Sequence, residues 1–240
     1  MDVLERIFPA GKRIMVVTGH YGSGKTEFCV SLAMRMAKAG CAPYERLALV
    51  DLDIINPYFR SRERRALLEA AGIRVYGSAY GHEVTAEIPE LAADIRAPLE
   101  DARCRVIVDV GGNDAGAKVL RQFEKYLTGP DTLRLCVVNA NRPQTRDVEG
   151  VLAHLKAIED NMNLRVEGLI NNTHLLRETD AACVLAGHEL CRAVQDAAGV
   201  PIWCDCYPQG IVPDEALNGR CENPLPLGLY MRPTWLDKTV

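Results

Sequence analysis

The chain reads as an α/β protein built on a doubly wound, mainly parallel sheet. Apolar, β-branched runs of strand length alternate with amphipathic stretches of helix length from residue 13 to residue 207, the pattern of strands joined by crossover helices. The first run feeds directly into a glycine-rich loop and then a helix. Two later runs end in aspartate, at Asp51 and Asp109, and in such sheets ligands collect at the carboxyl ends of the strands.

Residues 1–12 form a short lead-in, and the first strand covers 13–18. The helix over 25–39 puts Phe28, Leu32 and Met36 on one face and stops at Gly40, the usual place for a glycine. A second strand spans 46–51. Ser61 caps a helix running to Ala71, closed by Gly72, because a serine hydroxyl satisfies first-turn N–H groups and glycine tolerates the left-handed exit. Residues 73–76 are a short strand. Residues 77–89, with Gly77, Gly81, His82 and Pro89, read as an exposed loop, followed by a weakly periodic helix over 90–97. The strand over 105–109 is broken by Gly111 and Gly112, and 115–127 is helical. Strand 133–139, helix 145–160, strand 166–171, helix 179–198 and strand 201–207 complete the alternation. The remainder carries Pro208, Pro213, Pro224, Pro226 and Pro233 and is expected to wrap the surface of a single domain spanning 1–240.

Composition narrows the function. Of 240 residues, 48% are hydrophobic, enough for a sizeable core. The net charge of −4 argues against a nucleic-acid binder, which needs cations to neutralise phosphates. No apolar run reaches the length of a transmembrane helix, and the charged start Met1-Asp2-Val3-Leu4-Glu5-Arg6 lacks a signal-peptide core. The expected compartment is the cytoplasm. There the nine cysteines read as reduced thiols, most of them buried as small apolar groups.

The stretch Gly19-His20-Tyr21-Gly22-Ser23-Gly24-Lys25-Thr26 fits G-x-x-x-x-G-K-[ST], the loop that cradles nucleotide phosphates. Its glycines let successive N–H groups turn inward, and the helix start adds its positive dipole end. Lys25 reaches the β- and γ-phosphates in such a loop, and the Thr26 hydroxyl ligates Mg²⁺. Asp109, after Val106-Ile107-Val108, has the form of the strand-end acid that holds the same ion directly or through water. A nucleotide and Mg²⁺ are therefore the expected ligands.

The phosphate loop, Val50-Asp51-Leu52-Asp53, and Asp109-Val110-Gly111-Gly112 together resemble the MinD/ParA/nitrogenase-iron-protein class of P-loop ATPases over residues 13–224. The resemblance implies that Asp53 lies in a first switch segment and positions the attacking water, and that Asp51 belongs to the magnesium shell. It makes 111–116 the second switch, and it likens Ile211-Val212-Pro213-Asp214 to the loop that packs on adenine. His20 stands where the family has its signature lysine and Tyr21 where it has a glycine. That lysine crosses a dimer interface, so its loss counts against nucleotide-driven homodimerisation. The loop is also similar to the metallochaperone GTPases of urease and hydrogenase systems, which need N-K-x-D for guanine. Here the matching place is Asn171-Asn172-Thr173-His174. Asn171 is present, the Asp is not, and adenine is favoured.

Three weaker signals remain. Cys204-Asp205-Cys206, Cys221 and the His188/Cys191 pair lack paired C-x-x-C spacing, so buried thiols are favoured over a metal. Arg60, Arg62, Arg64 and Arg65 read as a solvated face, and Pro57-Tyr58-Phe59 as a docking surface for a protein partner. The favoured function is a slow switch-type ATPase acting on a protein partner through its switch segments. The alternatives are an ATP-dependent small-molecule kinase or ligase of the dethiobiotin-synthetase type, a metallocentre-assembly NTPase, and a binding protein whose nucleotide is structural.

Overall fold

The computed structural model describes residues 3–52, 61–77, 88–111 and 121–231, the side chains of residues 62, 88–93 and 162 excepted. Eight strands lie in one sheet: β1 Ile14–Gly19, β2 Arg46–Leu52, β3 Ile73–Tyr76, β4 Cys104–Val110, β5 Thr132–Val138, β6 Gly168–Asn171, β7 Ile202–Pro208 and β8 Leu225–Leu227. Their order is β3-β2-β4-β1-β5-β6-β7-β8, and every pairing is parallel. The expected doubly wound α/β architecture is present, and the strand carrying the glycine loop is central.

The pleat explains why these strands are apolar throughout. Ile14 and Val16 enter one core cluster, while Met15 and Val17 enter the other, because successive side chains face opposite sides of a strand. One face is covered by α1 (Val3–Ile7), α2 (Lys25–Ala39) and the Arg65–Ala70 helix, which contributes Leu68. The other is covered by Ile95 and Leu99, Leu127, Val151 and Leu155, and Cys191 and Val194 from the four later helices. Phe28, Leu32 and Met36 are buried on α2, and Gly40 ends it with φ 91°.

Several boundaries differ from the sequence expectation. The lead-in is helical over Val3–Ile7, and Ile7 and Phe8 are fully buried. Phe8 lies under the Arg105 guanidinium at 3.9 Å, a stacking that draws the N-terminal segment onto the sheet. Ser61 opens a 3₁₀ turn, Ser61–Arg64, and the α-helix begins only at Arg65. Helices predicted from 145 and 179 start at Val148 and Ala181, because Asp147 and Asp180 cap them through the N–H groups of Gly150 and Cys183. Of the helix predicted over 115–127, the described part is the 3₁₀ turn Arg121–Phe123 and the short helix Glu124–Leu127. The proline-rich tail contributes an edge strand, β8, with Leu225 and Leu227 buried. Pro226 is tolerated there because an edge strand leaves N–H positions outside the ladder.

No described helix is long and apolar enough to cross a membrane. Arg65 pairs with Glu69 one turn on at 3.2 Å and donates to the Val75 carbonyl; Arg60 and the Arg62 side chain lie outside the described residues.

Candidate nucleotide site

Sheet order sets the site. At the carboxyl edge, β1 delivers the glycine loop, β2 and β4 deliver Asp51 and Asp109 in register with each other, and β5 and β6 deliver the loops on the other side. Asp109 is fully buried, Asp51 is 3% exposed, and Lys25 and Thr26 are buried at the start of α2. One turn further on, the Cys29 thiol registers the two aspartates and Lys25. Burial pushes its pKa well up, Asp109 and Asp51 push it further, and Lys25 pulls it back. The cation and the two carboxylates thus all lie within electrostatic reach of that thiol, at the same edge of the sheet.

Gly22 and Gly24 have φ of 75° and 86°, and Gly24 is the left-handed cap before α2. A Cβ on Gly24 would stand 2.3 Å from Asn172 Nδ2, and one on Gly22 would stand 3.0 Å from the Arg142 guanidinium carbon. Conformation and space both require glycine. Asn172 Nδ2 donates to the Ser23 carbonyl at 2.9 Å, and Arg142 Nε donates to the Gly22 carbonyl at 2.7 Å. His174 Nδ1 accepts the Leu176 N–H at 3.3 Å, which puts its ring proton on Nε2, the atom nearer Gly24.

Beside the loop opens a cavity of about 430 Å³, within the usual range for a small-molecule site. It is lined by Tyr21, Gly22, Gly24, Lys25, Thr26 and Arg142 in and around the phosphate loop, and by the apolar Leu176, Pro208, Leu227, Leu229 and Met231. The wall at 227–231 is held to α2 by a stripe at helical spacing. Glu27 accepts the N–H groups of Tyr230 and Met231, Ser31 accepts that of Gly228, and Arg35 donates to the Pro226 carbonyl.

Three residues expected at the nucleotide, Asn171, Pro213 and Asp214, do not line this cavity. Asn171 turns away from the cavity, since its amide donates to the Val184 carbonyl and to Asp205. Asn172 faces the cavity instead, and the fourth position counted from it is Leu175. Pro213 and Asp214 are exposed and do not line the cavity. Asp214 touches its wall only by accepting from the Tyr207 hydroxyl at 2.9 Å. The metal grouping places Cys221 beside His188 and Asp205. That carboxylate already accepts from His188 Nδ1, Asn171 Nδ2 and the Glu222 N–H, so it serves as a packing hub. Six of the nine cysteines are buried and all are free. His20 lies beside the Tyr21 carbonyl and edge-on to His154. Asp53, residues 57–60 and 112–116 lie outside the described residues.

Sequence reasoning did not find Arg142, Glu27 or the 227–231 wall. Glu27 carries a pH signature. Burial raises its carboxyl from 4.5 to about 7, against the smaller pull of the Met231 and Tyr230 N–H groups and Arg64. A raised acid favours the folded state while protonated. Its contribution is complete below pH 4.5 and is lost as pH rises through 7, a loss of up to roughly 3 kcal/mol. Glu27→Gln is expected to flatten the stability profile between those limits and to be more stable than wild type on the alkaline side. Urea denaturation across that range checks it, and parallel profiles for the two proteins would contradict it.

The chain matches no protein-family model and no curated protein. Among solved structures it is similar to the cell division protein FtsY of Thermotoga maritima, with 20% identity and a TM-score of 0.54 over 83% of this chain and 66% of that one. The signal recognition particle 54 kDa protein of Aeropyrum pernix, solved with GDP, gives 22% identity and a TM-score of 0.55 over 91% and 45%. Chloroplast FtsY of Physcomitrella patens gives 18% and 0.56 over 92% and 68%. The chain thus spans from less than half to about two thirds of those proteins. The shared fold is that of P-loop NTPases.

Proposed function

We propose that this chain is a magnesium-dependent, nucleotide-binding switch protein with slow ATPase activity that acts on a protein partner. The observation that carries the reading is the glycine loop itself, with Lys25 and Thr26 buried at its end, Asp51 and Asp109 in register on neighbouring strands at the same sheet edge, and a cavity of mixed polar and apolar lining beside it. The motifs shared with MinD and ParA supply the finer likeness.

The donor set fits magnesium. The Thr26 hydroxyl and the carboxylates of Asp51 and Asp109 are hard oxygen ligands, the kind that ion takes. When bound, the ion neutralises charge on the phosphate oxygens. The chain's own groups do the rest. Loop N–H groups and Lys25 bind and orient the phosphates, the wall at 227–231 keeps water from the base, and Asp53 positions the attacking water.

Adenine is the favoured base. Asn172 commits its amide nitrogen to the Ser23 carbonyl, so it braces the phosphate loop. Leu175, not an acid, occupies the position that would read guanine. The GDP in the Aeropyrum pernix structure supports a second reading, that the base is guanine. Competition between ATP and GTP for purified protein is expected to favour ATP, and a tenfold preference for GTP, about 1.4 kcal/mol, would reverse the assignment. Phosphate release from ATP with no added substrate is the companion expectation. Release only in the presence of a small-molecule acceptor would favour the kinase or ligase alternative.

A further inference from the structure

Arg142 belongs to the loop between β5 and the Pro143–Thr145 turn, and it reaches the glycine loop because β5 lies next to β1 in the sheet. The loop is fixed before any ligand arrives. Ala140 N–H donates to Thr173 Oγ1, Asn141 N–H to Asn139 Oδ1, and Thr145 Oγ1 to the Asn139 carbonyl. The guanidinium is then anchored at one atom, Nε, on the Gly22 carbonyl at 2.7 Å. Its two terminal nitrogens carry the remaining four of its five donors. Among the described residues no carboxylate forms an ion pair with it, although it lines the cavity beside Lys25. An exposed guanidinium whose Nε is held, and whose terminal donors meet no acceptor and no acid among the described residues, suits a phosphate, which it can meet through two parallel hydrogen bonds.

We propose that Arg142 is a built-in clamp for the terminal phosphate, supplied by the same chain that carries the phosphate loop. In hydrolysis the water oxygen bonds to the terminal phosphorus, the bond to the bridging oxygen breaks, and ADP and phosphate leave. Arg142 transfers no proton. It donates hydrogen bonds to oxygens whose charge shifts during that exchange, and this charge stabilisation is what an arginine contributes to phosphoryl transfer. Because the cation comes from within the chain, the site is complete in one copy.

The inference rests on the nucleotide reading, and the test separates the two. Calorimetry compares ADP with a non-hydrolysable ATP analogue on wild type, Arg142→Ala and Arg142→Lys, with melting curves as a folding control. Arg142→Ala is expected to bind ADP almost as wild type does and the triphosphate about tenfold more weakly, with hydrolysis down roughly a hundredfold or more. Lysine should restore part of both losses, and free guanidinium ion should restore part of the alanine variant's rate. Wild-type specific activity should not change with protein concentration. Equal losses for ADP and triphosphate would overturn the proposal, leaving Arg142 as a prop for Gly22. So would an unchanged rate, or activity that rises with protein concentration. Failure of wild type to bind either adenine nucleotide or the guanine counterparts would overturn the nucleotide reading itself.

Discussion

Lys25→Ala is expected to abolish nucleotide binding. Lys25 is only 4% exposed at the head of α2, so its ammonium acts where water cannot replace it. Removing a charged donor from such a site leaves the phosphate charge without its partner, at about 1.5–3 kcal/mol for each hydrogen bond to a charged group. Two such bonds lost correspond to a fall in affinity of order a hundredfold or more. The change also removes a buried charge from the apo protein, since Lys25 lies at the same sheet edge as the buried Asp51 and Asp109. Melting curves therefore accompany the calorimetry, and Lys25→Met, which keeps the stem, controls for lost packing. Equal ATP affinity in a folded variant and wild type would remove the phosphate-loop assignment, and with it the proposed function.

What the sequence made legible is what is local. The glycine loop, its flanking strand and α2 are contiguous, and their chemistry is carried by residues within one motif. Asp51 and Asp109 were legible because each ends an apolar run, and parallel strands bring such ends to one edge. Arg142 was not legible, because only the sheet order that sets β5 beside β1 brings it to Gly22, 120 positions away. The asparagines at 171 and 172 show a finer limit. Successive side chains at the end of β6 face opposite ways, so a one-residue error in aligning a motif exchanges a packing residue for a cavity residue. β8 escaped notice because three residues centred on a proline carry no periodic signal. Helix starts moved by two or three residues because Thr145 and Thr179 compete with Asp147 and Asp180 for the capping role. Thr145 bonds instead to the Asn139 carbonyl, and Thr179 to that of Leu176.

The sharpest test of mechanism contrasts Asp53 with Asp109. Asp109 is fully buried and in register with Asp51 across β2 and β4, and its proposed role is to hold the magnesium ion. Asp53 follows β2 by one residue, and its proposed role is to position water. Phosphoryl transfer depends mostly on positioning and charge stabilisation, so the two amide variants should fail differently. Asp53→Asn is expected to keep magnesium-dependent ATP binding and lose hydrolysis by roughly a hundredfold or more, as when an acid–base group is removed. Asp109→Asn is expected to weaken the magnesium dependence of binding as well, because a hard anionic oxygen becomes a neutral amide. ATP affinity with and without Mg²⁺, measured beside single-turnover hydrolysis, separates the two roles. If Asp53→Asn hydrolyses ATP at the wild-type rate, Asp53 does not position the water. The kinase or ligase reading then moves ahead, and the search for its substrate begins in residues 77–103.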